Sequence, residues 1–208
     1  MNQILMRNEL YRKLAHLLLI LIPIAYYYLG KWQSLTIFAI AAAIIVPLDY
    51  WRRRNEVVRN IFGKVFGIIL RHHESDGQRL CGASWVAIAT CVNFLLFQEA
   101  IAVTAFTILV ISDAAAAIIG RSFSSQPFFE KSLYGSIAFA VSGFVVLVTC
   151  GIIFDVKFWF YIFGVFALFV STLLEARPSL LKLDDNFVIP ISFSLIMTIF
   201  DIMWSYSY

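Results

Sequence analysis

The sequence predicts an all-α integral membrane protein: a bundle of about seven transmembrane helices plus one cytoplasmic interfacial amphipathic helix. Two observations predict this class. The 208 residues are 61% hydrophobic and only 14% charged, and a soluble domain of this length could not bury so much apolar surface. The apolar stretches are also continuous, without the alternation that marks the strands of a β-barrel. We expect residues 1–208 to form one membrane domain.

Seven apolar runs approach the ~20 residues that a helix needs to cross a bilayer. They are residues 14–29, 35–50, 80–97, 100–119, 133–154, 158–174 and 187–204. Several of them are short, which favours tilted helices or a locally thin bilayer. The first run lacks a small-residue cleavage site and is followed by further runs, so we expect no cleavable signal peptide.

The basic residues predict the orientation. Except for Lys31 and Lys157, all 16 lysines and arginines lie in the N-terminal segment or after the second, fourth and sixth runs. Because cytoplasmic loops carry an excess of Lys and Arg, that side is predicted to be cytoplasmic, with the N-terminus inside and the C-terminus outside. The compact size and the absence of a retrieval signal favour a bacterial or archaeal plasma membrane.

Residues 57–70 have a different pattern. Their apolar side chains fall on one helical face, and charged residues such as Arg59 and Lys64 fall on the other. This pattern predicts an amphipathic helix that lies on the cytoplasmic interface, attracted by anionic lipid. A helix packed against the end of the bundle would have the same pattern.

Asp113 lies within an otherwise apolar run. A carboxylate at that depth is costly and by default faces a partner, a cavity or an ion. At helical spacing Asp113, Ala116, Ala117 and Gly120 share one face. This face is narrow enough for another backbone or a ligand to come close. The alternative is a structural carboxylate paired with Arg121 or with a hydroxyl of a neighbouring helix.

The segment Lys131–Ser136 enters the next apolar run. The first backbone N–H groups of a helix attract anions, Gly135 would let a phosphate approach the backbone, and Lys131 would add a point charge. The structural alternative is that Ser132 caps the helix while Lys131 extends to the interface.

Further polar residues lie at the same predicted membrane boundary: Arg12, Lys13, His16, Arg121, Glu175, Asp184, Asp185 and Asn186. Together they have the chemistry to bind a magnesium–nucleotide complex, with carboxylates on the metal and basic groups on the phosphates. Taken singly, each is more typical of a topology charge, a helix cap, a solvated helix end or a packing histidine. Asp49 precedes three consecutive arginines, and pairing with them explains it.

The order of these motifs resembles the CTP-dependent lipid kinases, the group of dolichol kinase, phytol kinase and yeast-type diacylglycerol kinase, which is distantly similar to phosphatidate cytidylyltransferase. The resemblance extends from Arg12 to Pro190. It rests on Arg12-Lys13-x-x-His16, Gly82-Ala83-Ser84, Asp113-x-x-Ala116-x-x-x-Gly120-Arg121, Lys131-Ser132-x-x-Gly135-Ser136, Glu175 and Asp185-Asn186-x-x-x-Pro190.

The resemblance implies transfer of the terminal phosphate of a nucleoside triphosphate, typically CTP, to the hydroxyl of a polyprenol or dolichol, of phytol or of diacylglycerol. Asp113 and Lys131 would be catalytic, and Mg²⁺ would be held by Asp113, Glu175 and Asp185. The nucleotide would contact Arg12, Lys13, Arg121, Lys131, Ser132, Gly135, Ser136 and Asn186. The lipid would lie in an apolar groove beside Asp113, along Ala116, Ala117, Gly120 and His16.

Three other functions stay open at this point. The first is a cytidylyltransferase, which would release pyrophosphate and form a CDP-lipid. The second is a small transporter centred on Asp113, for which polar residues should line a path across the whole bilayer. The third is a catalytically degenerate relative, because the family's further glycine and basic residues are missing after Arg121 and Tyr134 replaces an acidic residue.

Overall fold

The computed structural model describes residues 15–60, 80–123, 126–181 and 183–204, and these residues are almost entirely helical. The only sheet in this part of the chain is a hairpin of two short strands. The elements are α1 (Ala15–Leu29, with a 3-10 turn at Leu18–Ile20), α2 (Lys31–Arg52), α3 (Gly82–Leu96), α4 (Glu99–Ser122), β1 (Pro127–Phe128), β2 (Lys131–Ser132), α5 (Leu133–Ile153), α6 (Phe158–Ala176) and α7 (Asp185–Trp204).

Five of these helices, α2, α4, α5, α6 and α7, are long and apolar enough to cross a membrane. The first and third predicted spans form the shorter helices α1 and α3, each between 10 and 17 residues long. This is less than the ~20 residues of a full crossing. The architecture fits an integral multi-pass membrane protein, and the count of seven crossings stays a prediction.

Helix α4 is the centre of the bundle and α2 is at its periphery. Within the most apolar window of each helix, 67% of the residues of α4 are buried, against 11% in α2. The core is formed by side chains that are fully enclosed between helices, among them Phe94, Ile101, Phe106, Leu109, Phe139, Leu147, Phe160 and Phe193. Large apolar side chains also cover the outside of the bundle, as expected of a surface that contacts lipid.

Helices α4 and α5 form the most extensive helix pair, and two glycines bring their backbones together. A Cβ on Gly120 would lie 3.2 Å from the Cα of Gly135, and a Cβ on Gly135 would lie 3.1 Å from the carbonyl oxygen of Ala116. Small residues allow this close approach between membrane helices. The small residues of α4 would admit either a second backbone or a ligand. In the structure the backbone of α5 lies against Ala116 and Gly120.

Helices α5 and α6 run antiparallel along a second glycine-containing contact. Gly143 of α5 lies against the side chain of Leu168, and Gly164 of α6 lies against the side chain of Leu147. Moving four residues forward on α5 therefore corresponds to moving four residues back on α6. We call this contact, with the adjoining edge of α4, the α5–α6 seam.

A buried ion pair joins the end of α2 to the start of α3. The side chain of Asp49 is fully buried, and its Oδ1 lies 2.5 Å from Nε of Arg52. Its Oδ2 accepts hydrogen bonds from the backbone N–H of Cys81 at 2.8 Å and from Oγ of Ser84 at 2.7 Å. The predicted pairing of Asp49 with the arginines is confirmed, while its bonds to α3 are a finding of the structure.

The predicted interfacial helix 57–70 falls only in part within the described residues. A helical turn over residues 56–60 begins after Asn55, whose side-chain oxygen accepts hydrogen bonds from the N–H groups of Val57 at 2.9 Å and Val58 at 3.3 Å. This is the N-cap geometry expected of asparagine. Residues 61–70 lie outside the described part of the chain, so the membrane-surface position of this helix stays a prediction.

The close α4–α5 contact predicts how a methyl group added at Gly135 changes the stability of the protein. In an open helix Gly135→Ala would stabilise the protein by about 1 kcal/mol. Here the added Cβ meets a backbone carbonyl, so we expect Gly135→Ala to lower the free energy of unfolding by about 1–3 kcal/mol. Thermal denaturation in detergent micelles measures the change.

Ser122→Ala is the control for this substitution, because Ser122 is exposed near the end of α4 and its hydroxyl donates only to the carbonyl of Ile118. Its effect should be small. A Gly135→Ala protein that is more stable than the unmodified protein would contradict the close α4–α5 packing.

Candidate polar site at the end of the bundle

The hairpin between α4 and α5 determines where Lys131 lies. Its strands pair antiparallel, Pro127 with Ser132 and Phe128 with Lys131. The turn residue Glu130 is attached to the end of α6: its N–H donates to the carbonyl of Ala176 at 3.0 Å. The Glu130 carboxylate also accepts a hydrogen bond from the Ser179 hydroxyl. The hairpin is therefore fixed over the C-terminal end of α6.

In this position the ammonium of Lys131 contacts two carboxylates. Nζ lies 2.5 Å from Oε1 of Glu175, the last acidic residue of α6, and 3.2 Å from Oδ2 of Asp185, the first residue of α7. The side chain of Glu175 is only 2% exposed. Three residues that are far apart in the sequence thus form one charged group, which we call the Lys131 cluster.

The electrostatic interactions within the Lys131 cluster favour the charged form of Lys131. Burial disfavours the ammonium, but the carboxylates of Asp185 and Glu175, with a smaller contribution from Asp113, outweigh it and raise the pKa of this lysine above its usual value. The ammonium is therefore charged throughout the neutral pH range, and it is the group in this cluster best suited to meet an anion.

Asp113 lies close to this cluster and has its own neighbour on α1. Its Oδ2 is 3.5 Å from Nε2 of His16, and the same nitrogen is 3.4 Å from the carbonyl oxygen of Leu109. The two side chains are largely buried, at 18% and 11% exposure. The aspartate therefore points towards α1, while Ala116 and Gly120 on the predicted common face contact α5.

This arrangement corrects the predicted lipid groove. Ala116 and Gly120 are covered by the backbone of α5, so these two residues do not line an open groove. Ala117 is half-buried, and His16 neighbours Asp113. The physical reason is that small residues allow a helix to approach as readily as a ligand, and the helix forms the contact along the whole α4–α5 pair.

Two residues of the predicted phosphate cradle contact each other and a neighbouring helix. Oγ of Ser132 accepts a hydrogen bond from the N–H of Gly135 at 3.1 Å, which is an N-cap contact. Gly135 is the residue packed against Gly120, so a phosphate has no access to its Cα side. Ser136 is buried at 3% exposure. Ser132 therefore makes the cap contact of the structural alternative, while Lys131 contacts two carboxylates and is not merely extended to the interface.

The three predicted metal ligands, Asp113, Glu175 and Asp185, do not surround a common point in the structure. Among the described residues there is no group of three or more His, Cys, Asp or Glu side chains arranged to hold a metal ion. Glu175 and Asp185 instead share the ammonium of Lys131. As arranged here, Asp113, Glu175 and Asp185 do not fit a resident Mg²⁺ site, because a cation of the chain already lies between two of them.

The remaining predicted site residues do not contact the Lys131 ammonium in the described part of the chain. The side-chain amide of Asn186 donates to Oδ1 of Asp184 at 2.7 Å, so it fixes the start of α7 beside Asp185. Arg121 is exposed at the end of α4. Arg12 and Lys13 lie outside the described residues.

Two buried hydroxyls beside this site are not among the predicted site residues. Ser112 and Ser171 are fully buried, and their hydroxyls have no hydrogen-bond partner among the described residues. Ser171 lies one turn before Glu175, and this i, i+4 spacing of a serine and a glutamate in an apolar run is a signal that could have drawn attention to it.

Comparison with known proteins finds relatives of nearly the same extent. An uncharacterized protein of Rickettsia prowazekii (strain Madrid E) is 28% identical over 190 residues, which cover 91% of this chain and 93% of that protein. An uncharacterized protein of Methanocaldococcus jannaschii is 28% identical over 187 residues, which cover 88% of this chain and 89% of that protein. No protein-family model matches the chain, and no solved structure gives a significant match.

The Lys131 cluster predicts a characteristic pattern of stabilities. Lys131→Met leaves two carboxylates without their cation, one of them almost fully buried, and we expect a loss of about 3–5 kcal/mol in the free energy of unfolding. Adding Glu175→Gln removes one of these charges, so the double variant should recover part of the loss. Thermal and denaturant unfolding in micelles measures both proteins.

Lys157→Met provides the matched control, because Lys157 is an exposed lysine at the start of α6, at the opposite end of the bundle. We expect a change below about 1 kcal/mol there. If Lys131→Met were as mild as Lys157→Met, the Lys131 cluster would not be the buried ionic contact described above.

Proposed function

We propose that the protein is a membrane phosphotransferase, a lipid kinase that moves the terminal phosphate of a nucleoside triphosphate to the hydroxyl of a membrane lipid alcohol. The observation that supports this most is the Lys131 cluster beside Asp113. The cluster and Asp113 together provide one charged ammonium and three carboxylates at one end of an apolar bundle. The sequence resemblance to the CTP-dependent lipid kinases favours CTP as the donor, and a polyprenol, dolichol, phytol or diacylglycerol as the acceptor.

The location of the cluster suits this chemistry. A lipid alcohol does not leave the bilayer and a triphosphate does not enter it, so the two can react only at a membrane boundary. Lys131, Glu175 and Asp185 lie where β2, the end of α6 and the start of α7 meet. With the excess of basic residues on this side, we propose that this end faces the cytoplasm, with the N-terminus inside and the C-terminus outside, in a bacterial or archaeal plasma membrane.

In this proposal each residue has a specific task. Lys131 exchanges part of its contact with Glu175 and Asp185 for the phosphates, whose negative charge it neutralises as the bond to the leaving nucleoside diphosphate breaks. Asp113 accepts a hydrogen bond from the lipid hydroxyl, orients its oxygen towards the terminal phosphorus and takes up the hydroxyl proton as the new O–P bond forms. His16 holds the Asp113 carboxylate in place from α1. Such positioning and charge stabilisation account for most of phosphoryl-transfer catalysis.

Magnesium enters this scheme with the nucleotide. Because the described carboxylates do not form a resident metal site, we treat Mg²⁺ as part of the magnesium–nucleotide substrate, in which it neutralises phosphate charge. No step of the proposal requires a metal ion bound before the nucleotide. In this proposal Arg121, which is exposed at the end of α4, also contacts the phosphates of the nucleotide.

The packing of the opposite half of the bundle favours an enzyme over a transporter. A transporter would need polar groups free to exchange partners along a path through the bilayer. Instead, the buried side chains of Asn93 and Ser194 hydrogen-bond to each other at 2.7 Å, and the amide of Asn93 also donates to the carbonyl of Ala102 at 2.9 Å. These groups hold α3 against α4 and α7.

The assay supplies purified protein in lipid micelles with Mg²⁺, γ-labelled CTP or ATP, and a panel of lipid alcohols. We expect label to move into the organic phase with one nucleotide and one lipid class. Asp113→Asn should lower this transfer by at least ~100-fold, as expected when a group that handles the transferred proton is lost.

Asp155→Asn is the matched control and should keep full activity. Asp155 is an exposed aspartate at the other end of the bundle, and its φ of 49° is a conformation that asparagine adopts readily. Full transfer by Asp113→Asn would contradict the assignment of Asp113. Release of labelled pyrophosphate with an unlabelled CDP-lipid would show the cytidylyltransferase reaction in place of the kinase reaction.

A further inference from the structure

Four buried oxygen atoms along the α5–α6 seam have no hydrogen-bond partner among the described residues. They are Oγ of Ser112, Oγ of Ser136, Oγ of Ser171 and Oε2 of Glu175. Each residue is at most 3% exposed. An unpaired polar atom shielded from water is costly, and native proteins rarely leave several of them together.

The antiparallel register of the two helices brings these atoms together. Gly143 of α5 lies against Leu168 of α6. Ser136 comes seven residues before Gly143, and Glu175 comes seven residues after Leu168. Since seven residues make about two helical turns, both remain on the facing surfaces and lie opposite each other. Ser171, between Leu168 and Glu175 at a spacing of three and four residues, lies on the same surface of α6.

Ser112 extends this line one turn deeper from α4. Its Oγ lies 3.2 Å from the position that a Cβ on Gly143 would have. The hydroxyl therefore points into the junction of α4, α5 and α6, at the level of Leu168. From there to the level of Glu175 the distance along α6 is about 10 Å, at about 1.5 Å per residue.

We propose that the α5–α6 seam is a binding site for a short chain of ordered water molecules, which connects the Glu175 carboxylate with Ser136, Ser171 and Ser112. A buried water makes about three hydrogen bonds to groups that are otherwise unsatisfied, and these four oxygens supply acceptors and donors in a row.

The water chain has a structural consequence for the Lys131 cluster. Lys131 contacts Oε1 of Glu175, whereas Oε2 has no partner among the described residues. Water at Oε2 solvates the second half of the carboxylate and keeps the charge of Glu175 compatible with its apolar surroundings. Hydration of the α5–α6 seam does not depend on the proposed phosphotransfer.

The sign of a stability change tests the proposal. If a serine hydroxyl is hydrogen-bonded to seam water, Ser136→Ala and Ser171→Ala leave that water short of a partner. We expect each to lower the Tm by roughly 2–6 °C. The two residues contact one connected chain, so the double variant should lose less than the sum of the single variants.

The control is Ser142→Ala, which makes the same chemical change on α5. The Ser142 hydroxyl donates to the carbonyl of Ala138 at 2.6 Å, within its own helix. Removing it should change the Tm little. A seam without water gives the opposite result for Ser136→Ala and Ser171→Ala, because replacing an unpaired buried hydroxyl with a methyl group leaves the Tm unchanged or raises it.

An experimental density map that resolves ordered water gives an independent readout on the unmodified protein. The proposal requires peaks within hydrogen-bonding distance of Oγ of Ser171 and Oε2 of Glu175. Well-defined side chains without such peaks would overturn it, whatever the variants do.

Discussion

A carboxylate enclosed in an apolar helical bundle needs a cation, and the contact of Glu175 with Lys131 is the interaction on which the polar end of this protein depends. Glu175 is 2% exposed, and the Lys131 ammonium lies 2.5 Å from its Oε1. The desolvation cost of a buried ion is several kcal/mol unless a partner and hydrogen bonds offset it. Asp185 adds a second carboxylate to the same ammonium. One lysine thereby joins the hairpin, the end of α6 and the start of α7.

The rest of the site follows from the helix packing that brings Lys131 there. The close contact of Gly120 with Gly135 fixes the end of α4 against the start of α5, and the N-cap of α5 directly follows Lys131 in the chain. Asp113, two turns before Gly120 on α4, contacts His16 of α1.

Hydropathy and charge were sufficient to predict an all-helical membrane protein and a concentration of polar groups at one boundary. The depth of Asp113 alone predicts that its carboxylate faces a partner, a cavity or an ion, and the structure has His16 at 3.5 Å from it. Lys131, Glu175 and Asp185 were predicted to lie on one side of the membrane, and the structure brings them into contact. Alternation of the helices across the bilayer is enough to place such residues at the same end, although not to pair them.

What the sequence left open is which partner each small or polar residue meets. Gly120 and Gly135 are equally suited to a ligand or to a second helix, and only the tertiary packing decides between them. Asp49 accepts a hydrogen bond from Ser84, which lies 35 residues later in the chain, and no local pattern indicates this contact. The buried hydroxyls of Ser112 and Ser171 carry little weight in a hydropathy pattern, because a serine in an apolar run usually donates to its own helix.

We propose that Lys131, held by two carboxylates, is also the group that receives the phosphates of a nucleotide. Equilibrium binding of labelled CTP with Mg²⁺ to the purified protein in micelles tests it most directly, since binding is measured apart from turnover and needs no lipid acceptor. The account predicts that Lys131→Gln weakens binding at least ~10-fold through loss of a charge-assisted contact, while Lys157→Gln binds like the unmodified protein. Equal CTP affinity in the unmodified and Lys131→Gln proteins, both shown to be folded at the assay temperature, would contradict it.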